Sequence, residues 1–184
     1  MSRAEAFLTH LDGVSGGSEP SLLRVESSRP DAGPVYVISF DDVPEPGMLT
    51  GITYGVSMVD HPLWQASRPE LCLTVKSTDE AWMWALGGIA EKLRGECPFA
   101  LGSTVDVGAP ICGDTDMTSL VVFAPLVLDR EDYVDIEVGD DDRITIVGVY
   151  PIHASERRFI VDHGFEEFWR LGWDAFDVTR AAVV

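Results

Sequence analysis

The sequence predicts an α+β domain in which a mixed, mainly antiparallel β-sheet packs against helices that cover mainly one of its faces. Short apolar or alternating segments recur along the chain between turns rich in Gly, Pro and Asp, a pattern typical of β-strands. One long segment with helical periodicity stands among them. The chain has 184 residues, 46% of them hydrophobic, and this length suits one well-buried core better than two.

The N-terminal region is expected to begin with an amphipathic helix at residues 2–11, followed by a loop at residues 12–34 that contains at most a short strand. We treat residues 1–34 as a helix and loop region, either part of the domain or appended to it, and residues 35–184 as a single domain. Apolar segments then predict three strands, at residues 35–40, 49–59 and 70–76.

The long helix is predicted at residues 78–94. Ser77 and Glu80 have the spacing of a capping box, in which each side chain satisfies a free backbone donor of the first turn. An apolar stripe at helical spacing is formed by Trp82, Leu86, Ile89 and Leu93. Lys92 and Arg94 are expected in the last turn, where cations complement the helix dipole.

The second half of the chain is expected to add four strands and two short helices. The strands are predicted at residues 104–107, 119–124, 133–138 and 144–150. Ser155 is expected to cap a helix at residues 156–162, and Gly164 separates this helix from another at residues 165–171. The tail from residue 173 onward is expected to be extended or irregular.

The strongest chemical signal is negative charge. With 13 basic and 31 acidic residues the net charge is −18, and ten carboxylates lie between Asp114 and Asp142 against one base, Arg130. Such a surface repels nucleic acid and anionic membranes, and it favours a cationic protein or a metal ion. We predict that a protein partner binds the carboxylates of Asp129, Glu131, Asp132, Asp135, Asp140, Asp141 and Asp142. Plain solvation of loops in an acidic protein is the alternative, and the spacing of a calcium-binding loop is absent.

Trp84 is a further candidate for partner binding. It departs from the apolar stripe of the long helix by about 200° on a helical wheel. Its side chain is therefore either covered by another element or exposed to solvent. Because aromatic side chains often anchor protein interfaces, an exposed Trp84 is expected to contact a partner.

Other classes of function find less support in the sequence. No apolar run resembles a signal peptide or reaches the length of a membrane span, so a cytoplasmic location is expected. The three cysteines form neither a redox pair nor a zinc set. Acid–base groups gather only around His61 and around His153 with Ser155, which leaves an enzyme as a third hypothesis. We expect no cofactor and no metal site.

Several short motifs, in their order along the chain, resemble the suppressor-of-fused family. They are Tyr54–Ser57, His61–Trp64, Arg68–Leu71, Tyr150–Ile152 followed by Glu156 and Gly164, and Asp177–Arg180. The resemblance covers residues 35–180 and points to the bacterial, single-domain form. It implies the fold of the N-terminal part of the animal proteins and brings no catalytic residues. Arg68, Glu70 and Arg180 lie in these motifs, and we predict a polar network that ties the tail to the start of a strand.

The resemblance also implies a function. Animal members hold a transcription factor in an inhibited complex, and bacterial members are associated with immunity to toxins. We therefore expect a non-enzymatic protein-binding domain, with an immunity protein that neutralises a basic toxin domain as the leading hypothesis. A regulatory or scaffold module that sequesters a non-toxin client is the alternative.

Overall fold

A single mixed sheet of eight strands forms the centre of the protein, in a computed structural model that describes residues 2–65, 67–139 and 141–184. The strands are β1 (Ser21–Val25), β2 (Val35–Asp41), β3 (Leu49–Tyr54), β4 (Ser67–Val75), β5 (Thr104–Asp106), β6 (Ser119–Phe123), β7 (Ile136–Glu137) and β8 (Arg143–Ile152). Their order across the sheet is β1-β2-β3-β4-β8-β6-β5, and β7 also pairs with β8. The central pair β4–β8 is parallel, and the pairs on either side of it are antiparallel. The predicted mainly antiparallel α+β fold is therefore confirmed.

Helices lie on both faces of this sheet. They are α1 (Arg3–Val14), α2 (Ala81–Leu93), α3 (Arg130–Tyr133), α4 (Ala154–His163) and α5 (Phe165–Trp169). One face, here called the α2 face, packs Val37 and Leu73 against Trp82 and Leu86 of α2. The opposite face, called the α1 face, carries α1 above one half of the sheet and α4 with α5 above the other half.

The expectation that helices cover mainly one face was wrong because the central strands are apolar on both sides. In β8, Ile144 and Ile146 belong to the α1 face, while Val147 and Val149 belong to the α2 face. A strand that is apolar on both sides needs cover on both sides.

Helix α1 and strand β1 are integrated into this architecture. Phe7 and Leu11 of α1 are buried against Ile38 and Ile146 of the sheet. Strand β1 pairs with β2 along its full length, from Ser21 to Val25. Residues 2–34 therefore share the sheet and the core with the rest of the described chain.

Two predicted strands differ from the structure. The strand predicted at 49–59 ends at Tyr54, because the backbone amides that follow bind a buried carboxylate described below. The strand predicted at 133–138 is replaced by the short helix α3 and the two-residue strand β7. In the described part of the chain no helix is both long and apolar enough to span a membrane.

The predicted helix caps also differ. Glu80 caps α2 without a side-chain bond, and the Ser77 hydroxyl instead accepts from the backbone N–H of Asp79 at 3.2 Å. The Asp79 carboxylate accepts from the backbone N–H of Ala81 at 2.9 Å and so fills the role assigned to Ser77. Helix α4 begins one residue before Ser155, and Glu156 accepts from the backbone N–H of His153 at 2.9 Å.

Candidate partner-binding surface

The residues from 129 to 142 are here called the acidic segment, and its described parts, residues 129–139 and 141–142, cover the α1 face beside the start of β8. Ile136 and Val138 are buried in the cluster that contains Phe7 and Leu11 of α1. The His10 ring lies 2.7 Å, by its Nε2 atom, from the backbone oxygen of Asp132. Apolar side chains thus fix the segment to the core and leave most of its carboxylates facing water.

Five carboxylates of this segment have no ion-pair partner among the described residues. They are Asp129, Glu131, Asp132, Asp135 and Asp141; Asp132 is half-buried and the other four are exposed. Glu137 and Asp142 are instead paired, with Arg143 at 3.0 Å and with Arg68 at 2.9 Å. The remaining predicted site residue, Asp140, lies outside the described residues. Unpaired carboxylates on one surface leave a local negative field that a cationic partner can neutralise.

Arg68 joins the acidic segment to the loop that follows β3. Its guanidinium contacts Asp142 Oδ2 at 2.9 Å and Asp60 Oδ1 at 2.8 Å. It also donates to the backbone oxygens of Ser57 and Val59, each at 3.3 Å. The loop at residues 55–65 therefore borders the acidic segment, and this border is the place where two of the family-like motifs meet.

Glu70 holds the same loop from beneath and has no exposed surface. Its Oε1 atom accepts from the N–H of Gly55 at 2.8 Å, and from the N–H and the hydroxyl of Ser57 at 3.0 and 2.7 Å. Its Oε2 atom accepts from the Thr53 hydroxyl at 2.7 Å and from the Val56 N–H at 3.3 Å. Burial raises the pKa of the Glu70 carboxyl, and these donors oppose the rise.

A buried arginine, missed by the sequence analysis, supports the loop from the other side. Arg94 follows α2 and is fully buried, although its position had suggested a cation in the last turn that complements the helix dipole. Its guanidinium donates to Gly55 O at 3.2 Å, Gly33 O at 2.6 Å and Ser27 Oγ at 2.9 Å. The backbone carbonyls of Gly33 and Gly55 accept from Arg94, and these two glycines are the signal in the sequence that could have pointed to the acceptors. Only the fold, however, brings them beside Arg94.

The third predicted network residue, Arg180, anchors the C-terminal tail. It forms a buried ion pair with Glu156, and its Nη2 atom lies 2.8 Å from Glu156 Oε2. The backbone N–H of Val183 donates to Glu156 Oε1 at 3.0 Å. Burial acts to raise the pKa of the Glu156 carboxyl, but the bonds from Arg180, His153 and Val183 outweigh it and hold the pKa below its ordinary value.

The structure therefore brings Arg68 and Glu70 together on Ser57 of one loop and places Arg180 in a separate network with Glu156. Each arginine pairs with a carboxylate, as expected, but the carboxylate in each pair is different from Glu70. The prediction that this network also ties the tail to the strand start is wrong for Arg180, because Arg180 pairs with Glu156 of α4 rather than with a residue of β4. Glu156, which had been placed in the family-like motifs, is its partner.

Trp84 lies on the other side of the molecule from the acidic segment. It belongs to α2 on the α2 face, and 55% of its surface is exposed. The acidic segment belongs to the α1 face. A partner that contacts both would have to wrap around the sheet, so the two predicted parts of the site do not form one compact surface.

Among the residues that the structure describes, neither His61 nor His153 forms a hydrogen bond with a serine. His61 accepts from the Leu63 N–H at 3.1 Å through Nδ1, and its Nε2 atom lies 3.3 Å from Glu96 O. His153 is bound through Nε2 to Arg180 O at 2.9 Å. The Ser57 hydroxyl donates to Glu70 instead. Among the described residues, no group of three or more His, Cys, Asp or Glu side chains is arranged to hold a metal ion.

Comparison with known proteins gives these networks a family context. The sequence model of the suppressor of fused protein family matches residues 31–181. The chain belongs to the suppressor of fused family. The resemblance inferred from the short motifs is thereby confirmed. No curated protein sequence matches the chain.

Crystal structures of family proteins share this fold. A suppressor of fused homologue from Neisseria gonorrhoeae FA 1090 matches with a TM-score of 0.74 and 19% identity, over 98% of this chain and 96% of its own. Drosophila Suppressor of Fused matches with a TM-score of 0.73 and 10% identity, over 98% of this chain and 51% of its own. A chain of the Sufu–Fu complex matches with a TM-score of 0.71 and 11% identity, over 97% of this chain and 91% of its own.

Proposed function

We propose that this chain is a protein-binding domain that uses the acidic segment to capture a basic protein domain. The observation that carries the proposal is the set of five unpaired carboxylates on one side of the fold. Pairing them with Lys or Arg side chains of a partner would require little desolvation of existing ion pairs. A negative surface of this kind also accelerates encounter with a cationic partner.

We further propose that the partner is a toxin domain, which this protein neutralises by covering it. Nucleases and other enzymes that act on polyanions have basic clefts, and an acidic surface is complementary to such a cleft. In this role the protein needs a preshaped surface and no catalytic group. Glu70, Arg68 and Arg94 support that requirement, because they fix the loop beside the acidic segment from three directions.

A regulatory or scaffold role with a non-toxin client is the second candidate. It is favoured by the Sufu–Fu complex, in which a protein of this fold is found with a protein partner. In both candidate functions this protein binds a partner protein through its surface. They differ in the activity of the unbound partner, which is toxic in the first case and not toxic in the second.

Co-expression with the protein encoded beside this gene separates the two candidates. The toxin proposal expects that the neighbour arrests growth when expressed alone and that growth returns with this protein. A variant with Asp129→Asn, Glu131→Gln, Asp135→Asn and Asp141→Asn, here called the acidic-segment variant, should fail to rescue. The control variant changes Glu45, Asp116, Asp162 and Glu166 to their amides and removes the same charge elsewhere. A harmless neighbour would contradict the toxin proposal, and rescue by both variants alike would contradict the role of the acidic segment.

A further inference from the structure

The sheet ends at β1, whose outer edge is unpaired in the order of strands. Strand β1 runs from Ser21 to Val25 and pairs with β2 in an antiparallel register. Alternate residues of such an edge strand turn their N–H and C=O groups away from the sheet, where an added strand can bind them. The outer edge of β1 can therefore form backbone hydrogen bonds with an added strand. The residues beside this edge on the two faces of the sheet, here called its walls, decide which side chains the added strand can carry.

The wall on the α1 face is apolar apart from Arg24, whose guanidinium pairs with the Glu26 carboxylate at 3.2 Å. A cavity of about 290 Å³ lies between α1 and the first strands, and it is lined by Ala4, Leu8, Leu22, Tyr36, Ile38 and Tyr54. None of these side chains is charged. Leu22 of the edge strand is 63% exposed and Leu8 of α1 is 40% exposed, so apolar surface remains uncovered at the rim.

The wall on the α2 face is acidic. A second cavity, of about 130 Å³, lies between β1, β2 and the start of α2, and its lining includes the exposed carboxylates of Asp41 and Glu80. The described residues that line this cavity include no base. The two walls of one strand edge therefore differ in chemistry, apolar on one side and negative on the other.

We propose that the β1 edge binds an extended segment of a partner protein in which apolar and basic side chains alternate. Side chains of a strand point to opposite faces in turn, so an added strand would place every second residue above the apolar cavity. The residues between them would face Asp41 and Glu80, where Lys or Arg is complementary. Backbone bonds supply affinity and the two walls supply specificity.

A second copy of this chain fits the edge poorly. In an antiparallel β1–β1 pair, the residues brought beside the acidic wall would be Ser21, Leu23 and Val25 of the other copy, since these face the α2 side. They offer no base to Asp41 or Glu80, and the single base of the strand, Arg24, faces the α1 side. Two chains of net charge −18 would also repel each other.

This inference rests on the proposed protein-binding role but uses residues separate from the acidic segment. A strand bound at the outer edge would pair with β1 and lie beside α1 and the start of α2, whereas the acidic segment covers the start of β8. The acidic-segment variant should therefore bind a β1 ligand as the wild type does. Loss of binding at the β1 edge can therefore be distinguished from loss of binding at the acidic segment.

The test uses a fluorescent peptide of about nine residues with alternating Lys and Val, and a second peptide in which the same residues form two blocks. We expect the alternating peptide to bind, and to protect β1 amides from hydrogen exchange in a labelled sample of the full chain. Leu22→Lys should weaken binding about tenfold, because it places a charge in the apolar wall. Leu101→Lys is the matched control, since Leu101 is also 63% exposed, and it should bind normally.

Neutralising the acidic wall tests the other half of the proposal. Asp41→Asn with Glu80→Gln should weaken the alternating peptide about three- to tenfold at low salt and less at high salt. Equal binding of the two peptides would show attraction by net charge alone and overturn the proposal. It would also be overturned by absent binding, by unchanged binding in Leu22→Lys, or by a dimer of the chain that Leu22→Lys dissociates.

Discussion

Glu70 and the acidic segment present the same carboxylate chemistry in opposite surroundings. Glu70 is sealed beneath the loop after β3 and accepts hydrogen bonds from three backbone N–H groups and two hydroxyls. The carboxylates of Asp129, Glu131 and Asp135 have no ion-pair partner in the described structure. A buried carboxylate such as that of Glu70 determines the shape of a loop, whereas an exposed carboxylate remains available to a partner. Burial and the supply of donors decide which role it takes.

Glu156 shows a third arrangement, in which a buried carboxylate is matched by a buried base. Arg180 neutralises it and fixes the C-terminal tail against α4. Among the described residues Glu70 has no such ion pair, and its hydrogen bonds come from neutral donors. The three sites can be ranked by how much stability each substitution should remove.

The largest loss is expected for Arg180→Ala. Removing one partner of a buried ion pair leaves Glu156 uncompensated, which should lower the free energy of unfolding by about 3–5 kcal/mol in urea titration. Arg170→Ala is the matched control, because Arg170 pairs with Glu167 on the exposed surface. The control should change stability by less than about 1 kcal/mol. Equal losses in the two variants would contradict the distinction between buried and exposed carboxylates.

The next effect is expected for Glu70→Gln. The amide keeps the size of the side chain, but its NH₂ group would face N–H and O–H donors that now have no acceptor. We expect a loss of about 2–4 kcal/mol in the same measurement. Glu96→Gln, at an exposed partner of Arg29, should change stability by less than about 1 kcal/mol. If Glu70→Gln is as stable as the wild type, the donors are not fixing the loop.

The pH dependence gives a smaller, signed test at Glu156. Its folded pKa lies below the ordinary value of 4.5, so the unfolded chain binds more protons near and below that pH. The stabilisation is therefore complete above pH 4.5 and is lost as the pH falls through the folded pKa. The stability difference between the wild type and Arg180→Ala should shrink over that window. A difference that grows on acidification would show the opposite sign of the shift.

The smallest effect on folding is expected for the acidic-segment variant. Its four side chains have no ion pair to lose, and removing four negative charges from a chain of net charge −18 relieves repulsion. Stability should stay within about 1 kcal/mol of the wild type or rise slightly. A loss comparable to that of Glu70→Gln would mean that these carboxylates have a structural role.

The sequence predicted most elements because their patterns are local. The helix α2 and the strands β2, β4 and β8 follow directly from apolar periodicity and turn residues, whereas β1 lies in a segment that was expected to be a loop with at most a short strand. The cap at Ser77 was wrong because several neighbouring polar residues can reach the same backbone amide, and Asp79 does so.

The buried polar networks could not be predicted from local patterns. Arg94 looked like a cation at a helix end, yet its three acceptors come from turns about 40 to 70 residues away in sequence. Glu70 was recognised as part of a motif, but its donors were not. The acidic segment could be recognised from its amino-acid composition. Its separation from Trp84 could not, because this depends on which face of the sheet each element covers.

The central claim is that exposed carboxylates of the acidic segment bind a basic protein partner. The most direct measurement is the dissociation constant for the neighbouring gene product, by calorimetry, with the wild type, the acidic-segment variant and the control variant. At about 50 mM salt the acidic-segment variant should bind at least about tenfold more weakly, and at about 500 mM salt the difference should narrow. The control variant should remain within about threefold of the wild type. Equal weakening of both variants, or no weakening in either, would contradict the claim.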